Sequence, residues 1–185
     1  MKKVLGILGA GALALGAFAQ GANADLADTY VFDVSGIFSN DGFGAAINEV
    51  FLINLGENAH IVGLDWDVTL FADSPSWRSE MIVTLSDSTG LGGINLAPAA
   101  GVNSPGTGTY SGSADLVDLG LDFVLGADGL LRLEFWESFV DYAGDWDGIW
   151  ESGTLTIHYK PIPAPGALAL LGVAGLAGIG RRRRA

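Results

Sequence analysis

Leu64-Asp65-Trp66-Asp67-Val68-Thr69-Leu70 alternates apolar and polar side chains without a break. Successive side chains of an extended chain point to opposite faces, so Leu64, Trp66, Val68 and Leu70 share one face and Asp65, Asp67 and Thr69 the other. Working outward, the same period of two recurs in Met81, Val83 and Leu85, and in Leu119, Leu121, Phe123 and Leu125. Leu131, Leu133 and Phe135 repeat it, as do Leu155, Ile157 and Tyr159. Tyr30 to Phe38 reads as an opening strand. Ile47 to Leu55 admits a buried strand or a short helix, and its β-branched and aromatic content favours strand. Ala127-Asp128-Gly129, between two such runs, is a hairpin signal. Leu96 to Gly112 is rich in Gly, Ala, Pro and Ser and reads as a long surface loop.

These runs amount to roughly eight or nine short strands with no ten-residue helical pattern between them. The expected fold is all-β, an antiparallel β-sandwich of jelly-roll type, with a closed barrel as the alternative. Trp66 is expected in the core. Gly148-Ile149-Trp150 followed by Gly153-Thr154-Leu155-Thr156-Ile157 loosely resembles the closing hairpin of jelly-roll domains of the P-domain-like and galactose-binding-like kind. That resemblance bears on fold alone, since such folds host many activities.

The two ends differ from this body. Lys2 and Lys3 precede an apolar stretch from Val4 to Phe18, and Ala22-Asn23-Ala24 supplies small residues for a cut before Asp25. Residues 1–24 therefore read as a secretory signal peptide. At the other end Pro163 and Pro165 hold the chain extended. Ala167 to Gly180 is uncharged, and Arg181, Arg182, Arg183 and Arg184 follow. As a helix that run is roughly 21 Å long, short of a hydrocarbon core near 30 Å. Arginines resist transfer through the bilayer, at about 2.5 kcal/mol or more each at its centre, so they act as a stop on the cytoplasmic side. The domain plan is a signal peptide over 1–24, an acidic β-sandwich over 25–160 and a Pro-rich sorting motif and linker over 161–166. A transmembrane helix over 167–180 and an Arg-rich cytoplasmic tail over 181–185 complete it.

Between these ends Arg78, Arg132 and Lys160 face all 21 acidic residues, a net charge of −18 over residues 25–160. Such a body repels nucleic acid and anionic lipid. The chain has no cysteine, so its core forms without disulfides despite export.

The tail, from Pro163 to Arg184, resembles the PEP-CTERM sorting signal of bacterial exported proteins: a short proline motif, a hydrophobic helix and a terminal arginine cluster. The resemblance implies that Pro163, Ala164, Pro165 and Gly166 form the recognition motif for an exosortase-like processing enzyme. It also implies an association with exopolysaccharide or biofilm matrix. Ala164 stands where the family usually has Glu. The expected localisation is an inner-membrane anchor in transit, then the cell envelope or the extracellular space.

Candidate chemistry in the body is sparse. Asp141, Asp145, Asp147 and Glu151 crowd one segment and offer oxygen ligands of the kind calcium takes; the alternative is a solvated acidic turn. An EF-hand register fails, because Ala143 and Thr154 would fall at ligand positions. Glycoside hydrolysis needs two carboxylates flanking one bond, but Glu134 and Glu137 lie three apart on a strand and face opposite ways. Asp65 and Asp67 share a face and look outward. His60 and His158 stand in no recognisable constellation, and no Gly-x-Ser-x-Gly, zinc or phosphate-loop motif occurs. Trp77, Trp136, Trp146 and Trp150 include indoles that alternation does not place in the core, suited to stacking on a sugar beside Asp or Glu acceptors. The expected role is a non-catalytic structural or interaction module, with a carbohydrate-binding module and then a secreted hydrolase as the alternatives.

Overall fold

The structure, a computed structural model, describes residues 27–162. The signal-peptide segment with Ala22, Ala24 and Asp25, and the segments expected to hold the sorting motif, membrane helix and arginine stop, lie outside the described residues. Among the described residues no helix is long and apolar enough to cross a membrane.

Among the described residues ten strands follow in order, beginning with β1 (Asp28–Asp33), β2 (Ile37–Ser39), β3 (Glu49–Asn54), β4 (His60–Ala72) and β5 (Met81–Asp87). Then come β6 (Gly93–Leu96), β7 (Gly106–Asp115), β8 (Phe123–Val124), β9 (Leu130–Glu137) and β10 (Gly148–Lys160). A 3-10 turn spans Arg78–Glu80, and one short helix, α1, spans Leu116–Leu119. One sheet has the order β1-β10-β4-β7, with β2 also beside β10 and β8 beside β4. The other has the order β3-β9-β5-β6. Every pairing is antiparallel. The class is an all-β antiparallel sandwich.

The stretch Leu64 to Leu70 lies in β4, the middle of the first sheet, paired with β10 on one side and β7 on the other. Its alternation is obeyed: Leu64, Val68 and Leu70 are buried, while Asp67 is exposed. Across the core stand Met81, Val83 and Leu85 from β5 and Leu131, Leu133 and Phe135 from β9, all fully buried. Aromatic rings join the layers. Phe32 of β1 meets Phe51 of β3 edge-on at 5.1 Å, and Phe135 of β9 meets Trp150 of β10 edge-on at 5.1 Å, a geometry that suits the ring quadrupoles. Trp66 packs against this core but stays half-buried. Its indole lies over Gly112 on β7, leaving no room there for a side chain.

Several expectations need correction. Tyr30 to Phe38 is not one strand: the chain turns at Gly36, which has φ +82, and splits into β1 and β2. Leu119 to Leu125 is mostly not a strand either. Asp115 accepts from the Val117 and Asp118 amides, and Gly120 closes the turn with φ +66, an N-cap and a left-handed C-cap that favour helix over extension. The turn at Ala127-Asp128-Gly129 joins β8 and β9, which belong to different sheets, so it is a crossover and no hairpin. Gly148 to Tyr159 is likewise no hairpin; it lies in the single strand β10, with a register shift between Trp150 and Ser152 beside Gly153 at φ +119. The largest miss is Leu96 to Gly112, which ends in the ten-residue strand β7.

Candidate functional site

Glu134 and Glu137 sit on β9 and face opposite sides of the second sheet, as their spacing predicts. Glu134 looks outward, yet it is buried because residues 40–48 fold over it. Its Oε1 accepts from the Gly44 amide at 2.6 Å and from Asn48 Nδ2 at 2.8 Å, and Oε2 stands 2.6 Å from Arg132 Nη2. Burial opposes its charge, but the Asn48, Gly44 and Arg132 contacts outweigh it and hold the carboxyl below its ordinary range. Two carboxylates on opposite faces cannot flank one glycosidic bond. Asp65 contacts His158 Nε2 at 2.8 Å, and Asp67 is exposed. His60 meets Asp122 at 2.6 Å.

Glu137 looks inward at one end of the sandwich, opposite Met81 in register. It is 1% exposed, and among the described residues neither carboxylate oxygen has a hydrogen-bond partner. Burial pushes its pKa up to about 8, and the nearby Asp147, Glu80 and Asp141 add to the push. Asp147 is also buried; burial raises it, while the Asp141 and Tyr142 amides donate to its two oxygens at 2.8 and 2.9 Å. These bonds tie the loop before β10. Ser76 Oγ donates to Asp141 Oδ2 at 2.8 Å, and the Tyr142 hydroxyl donates to the Ser74 carbonyl at 2.6 Å, lacing that loop to the segment after β4.

Between the laced loops lies a groove of about 430 Å³, lined by Pro75, Trp77, Glu80, Phe139 and Asp141. Trp77 and Phe139 are 41% and 61% exposed. Glu80 accepts from the Trp77 amide through Oε2 at 2.8 Å.

The four acidic residues expected near calcium therefore scatter in role. Asp147 spends both oxygens on backbone amides, and Asp141 holds Ser76. Asp145 accepts from the neighbouring Trp146 amide, and Glu151 is exposed on β10. Among the described residues no group of three or more His, Asp or Glu side chains is placed to hold a metal ion.

A second concavity lies on the outer face of the second sheet. About 290 Å³ in volume, it is lined by Phe43, Thr84, Ser86, Gly90, Leu91, Gly92, Gly93, Asn95 and Trp136. Trp136 Nε1 donates to Thr84 Oγ1 at 2.8 Å, and Thr84 donates to Asn95 Oδ1 at 2.7 Å. Phe43 meets the Trp136 ring edge-on at 5.6 Å. Of the four candidate tryptophans, Trp77 and Trp136 thus line grooves. Trp146 is half-buried between Phe38 and Phe71, and Trp150 is fully buried in the core. Sequence reading missed Thr84, Asn95 and Phe43, which only the strand pairing and the folded-over loop bring to Trp136.

The fold defines the class as an antiparallel β-sandwich, and comparison adds little to that. No family model matches the chain, and no curated protein matches it. Among solved structures it is similar to the infectious bursal disease virus VP2 subviral particle, at 13% identity and TM-score 0.35 over 72% of this chain and 33% of that one. The infectious bursal disease virus Gx strain structure matches at 20% identity and TM-score 0.26, over 77% and 33%. The chain spans about a third of each, and at such scores the likeness carries no argument.

Proposed function

We propose that the chain is an exported bacterial cell-surface or extracellular-matrix protein. It is held in the inner membrane in transit and processed by an exosortase-like enzyme at Pro163 to Gly166. Its acidic sandwich, with jelly-roll connectivity, is a non-catalytic structural and interaction module associated with exopolysaccharide. The observation that carries this reading is the order of segments: an apolar leader, a body of charge −18, then Pro-Ala-Pro-Gly, an uncharged run and four arginines. Among the described residues the strands run from Asp28 to Lys160, and all of them lie between the two proposed processing points. Mass spectrometry of the protein recovered outside the cytoplasm tests it. The expected chain begins at Asp25 and ends upstream of Ala167. A soluble exported form still ending at Ala185 would overturn the membrane pause.

A second reading, a carbohydrate-binding module, is favoured by Trp77 and Trp136, each of which lines an open groove. Mobility in affinity gels cast with neutral and acidic polysaccharides measures it. A shift in at least one gel is expected, and unchanged mobility in all of them would dismiss it.

A further inference from the structure

We propose that the groove on the outer face of the second sheet binds a neutral glycan, with Trp136 stacking on a sugar ring and the Asn95 amide donating to its hydroxyl oxygens. This inference rests on the carbohydrate-binding reading and gives it a site and a ligand class.

Trp136 projects from the outer face of β9, and its ring is fixed before any ligand arrives. The indole N–H is anchored on Thr84 of the neighbouring strand β5, and Phe43 abuts the ring from the covering loop. A preset aromatic plane loses little freedom on binding, which is where much of the cost of association lies.

The polar groups beside it run in one direction. Trp136 gives its proton to Thr84, and Thr84 gives its single proton to the Asn95 carbonyl oxygen. The Asn95 oxygen is thereby occupied, and its NH₂ is left as a donor at the groove lining. Ser86 is 1% exposed and donates to the Asp87 carbonyl at 2.9 Å, so its hydroxyl serves the protein and not the ligand. Gly90, Leu91, Gly92 and Gly93 also line the groove, and the three glycines bring no side chain there, so a ligand can approach their backbone. The result is an aromatic plane beside an amide donor and side-chain-free backbone, which suits a ring with an apolar face and a hydroxyl rim.

Charge selects among glycans. Among the described residues no ionisable side chain lines this groove. Beside it, Arg132 pairs through Nη2 with Glu134 while its Nη1 stands near Gly90, and the Asp87 carboxylate borders Gly92; the acidic body as a whole repels a polyanion. The Trp77 groove differs in carrying Glu80 and Asp141 in its lining.

Isothermal titration of the full chain in mild detergent tests the proposal, with cellohexaose, xylohexaose, mannohexaose and chitohexaose as neutral probes and oligogalacturonate as the anionic one. At least one neutral probe is expected to bind, and oligogalacturonate is not. Trp136→Ala and Asn95→Ala should each weaken that binding at least about tenfold. Asn95→Ala guards against misfolding, since it leaves the tryptophan in place and should keep the parent melting temperature. Trp77→Ala should leave the affinity unchanged. Neutral binding that survives both groove substitutions but is lost in Trp77→Ala would overturn this site while sparing the carbohydrate reading. Failure of every neutral probe would overturn both, and preference for oligogalacturonate would overturn the neutral class.

Discussion

Glu134 and Glu137 are separated by two residues on one strand, yet their surroundings push them in opposite senses. Glu134 has its folded pKa lowered by Asn48, Gly44 and Arg132, working against burial. Its contribution to stability is present above the unfolded value and is lost as pH falls through the folded one. Glu137 has its folded pKa raised from 4.5 to about 8. The folded state therefore holds a proton that the unfolded state has released, and stability falls as pH climbs from about 4.5 to about 8. Together they predict a stability maximum in mildly acidic solution. Glu137→Gln should flatten the alkaline limb and raise stability at pH 9 by up to a few kcal/mol, since each tenfold difference in proton affinity between folded and unfolded chains is worth about 1.4 kcal/mol. Glu134→Gln should weaken the acid limb and lower stability at pH 7. Urea titrations at pH 4, 5, 7 and 9 measure both, and a Glu137→Gln curve parallel to that of the parent would contradict the assignment.

Among elements, the contrast between β4 and β7 shows what the sequence made legible. β4 is buried on its inner face by Leu64, Val68 and Leu70, large residues whose period of two stands out. In β7 the inward positions are Gly106, Gly108, Tyr110, Gly112 and Ala114; Tyr110 and Arg78 fill the space over Gly108, and Trp66 fills that over Gly112. The only periodic trace is outward, in Thr107, Thr109, Ser111 and Ser113, and a glycine-rich background makes that look like a loop. The grooves were less legible than the strands. Trp77 and Trp136 could be singled out as aromatic candidates, but their partners come from distant segments that only the sheet order brings near. Arg78 shows the same dependence on tertiary contact. It donates to the Ser104 carbonyl at 3.2 Å, the Thr107 carbonyl at 2.6 Å and Ser104 Oγ at 2.7 Å, fastening the start of β7 to the 3-10 turn. Arg78→Ala should cost about 1.5–3 kcal/mol in chemical denaturation. It should also speed amide hydrogen exchange at Thr107 and Thr109 more than at Val83.

For the molecule as a whole, charge is the dominant feature. A body carrying −18 repels itself, and salt screens that repulsion over a Debye length of about 10 Å at 0.1 M. Raising sodium chloride from 20 to about 300 mM should increase the melting temperature by several degrees, as about 1 kcal/mol does in a domain of this size. Calorimetry across a salt series checks this, and a flat response would mean that the carboxylates are dispersed or neutralised enough to leave no net strain.

The first sheet finishes at β7, whose ten residues pair with no strand but β4 among the described residues, the Thr107 carbonyl near its start being held by Arg78. Their outward side chains before Asp115 are hydroxyls with no lysine or proline among them, so the usual guards of a free edge are missing. At high local concentration this border is open to being lengthened by a strand from another molecule, laying copies side by side as a ribbon. Light scattering should rise with protein concentration in the parent and stay low in Thr109→Lys.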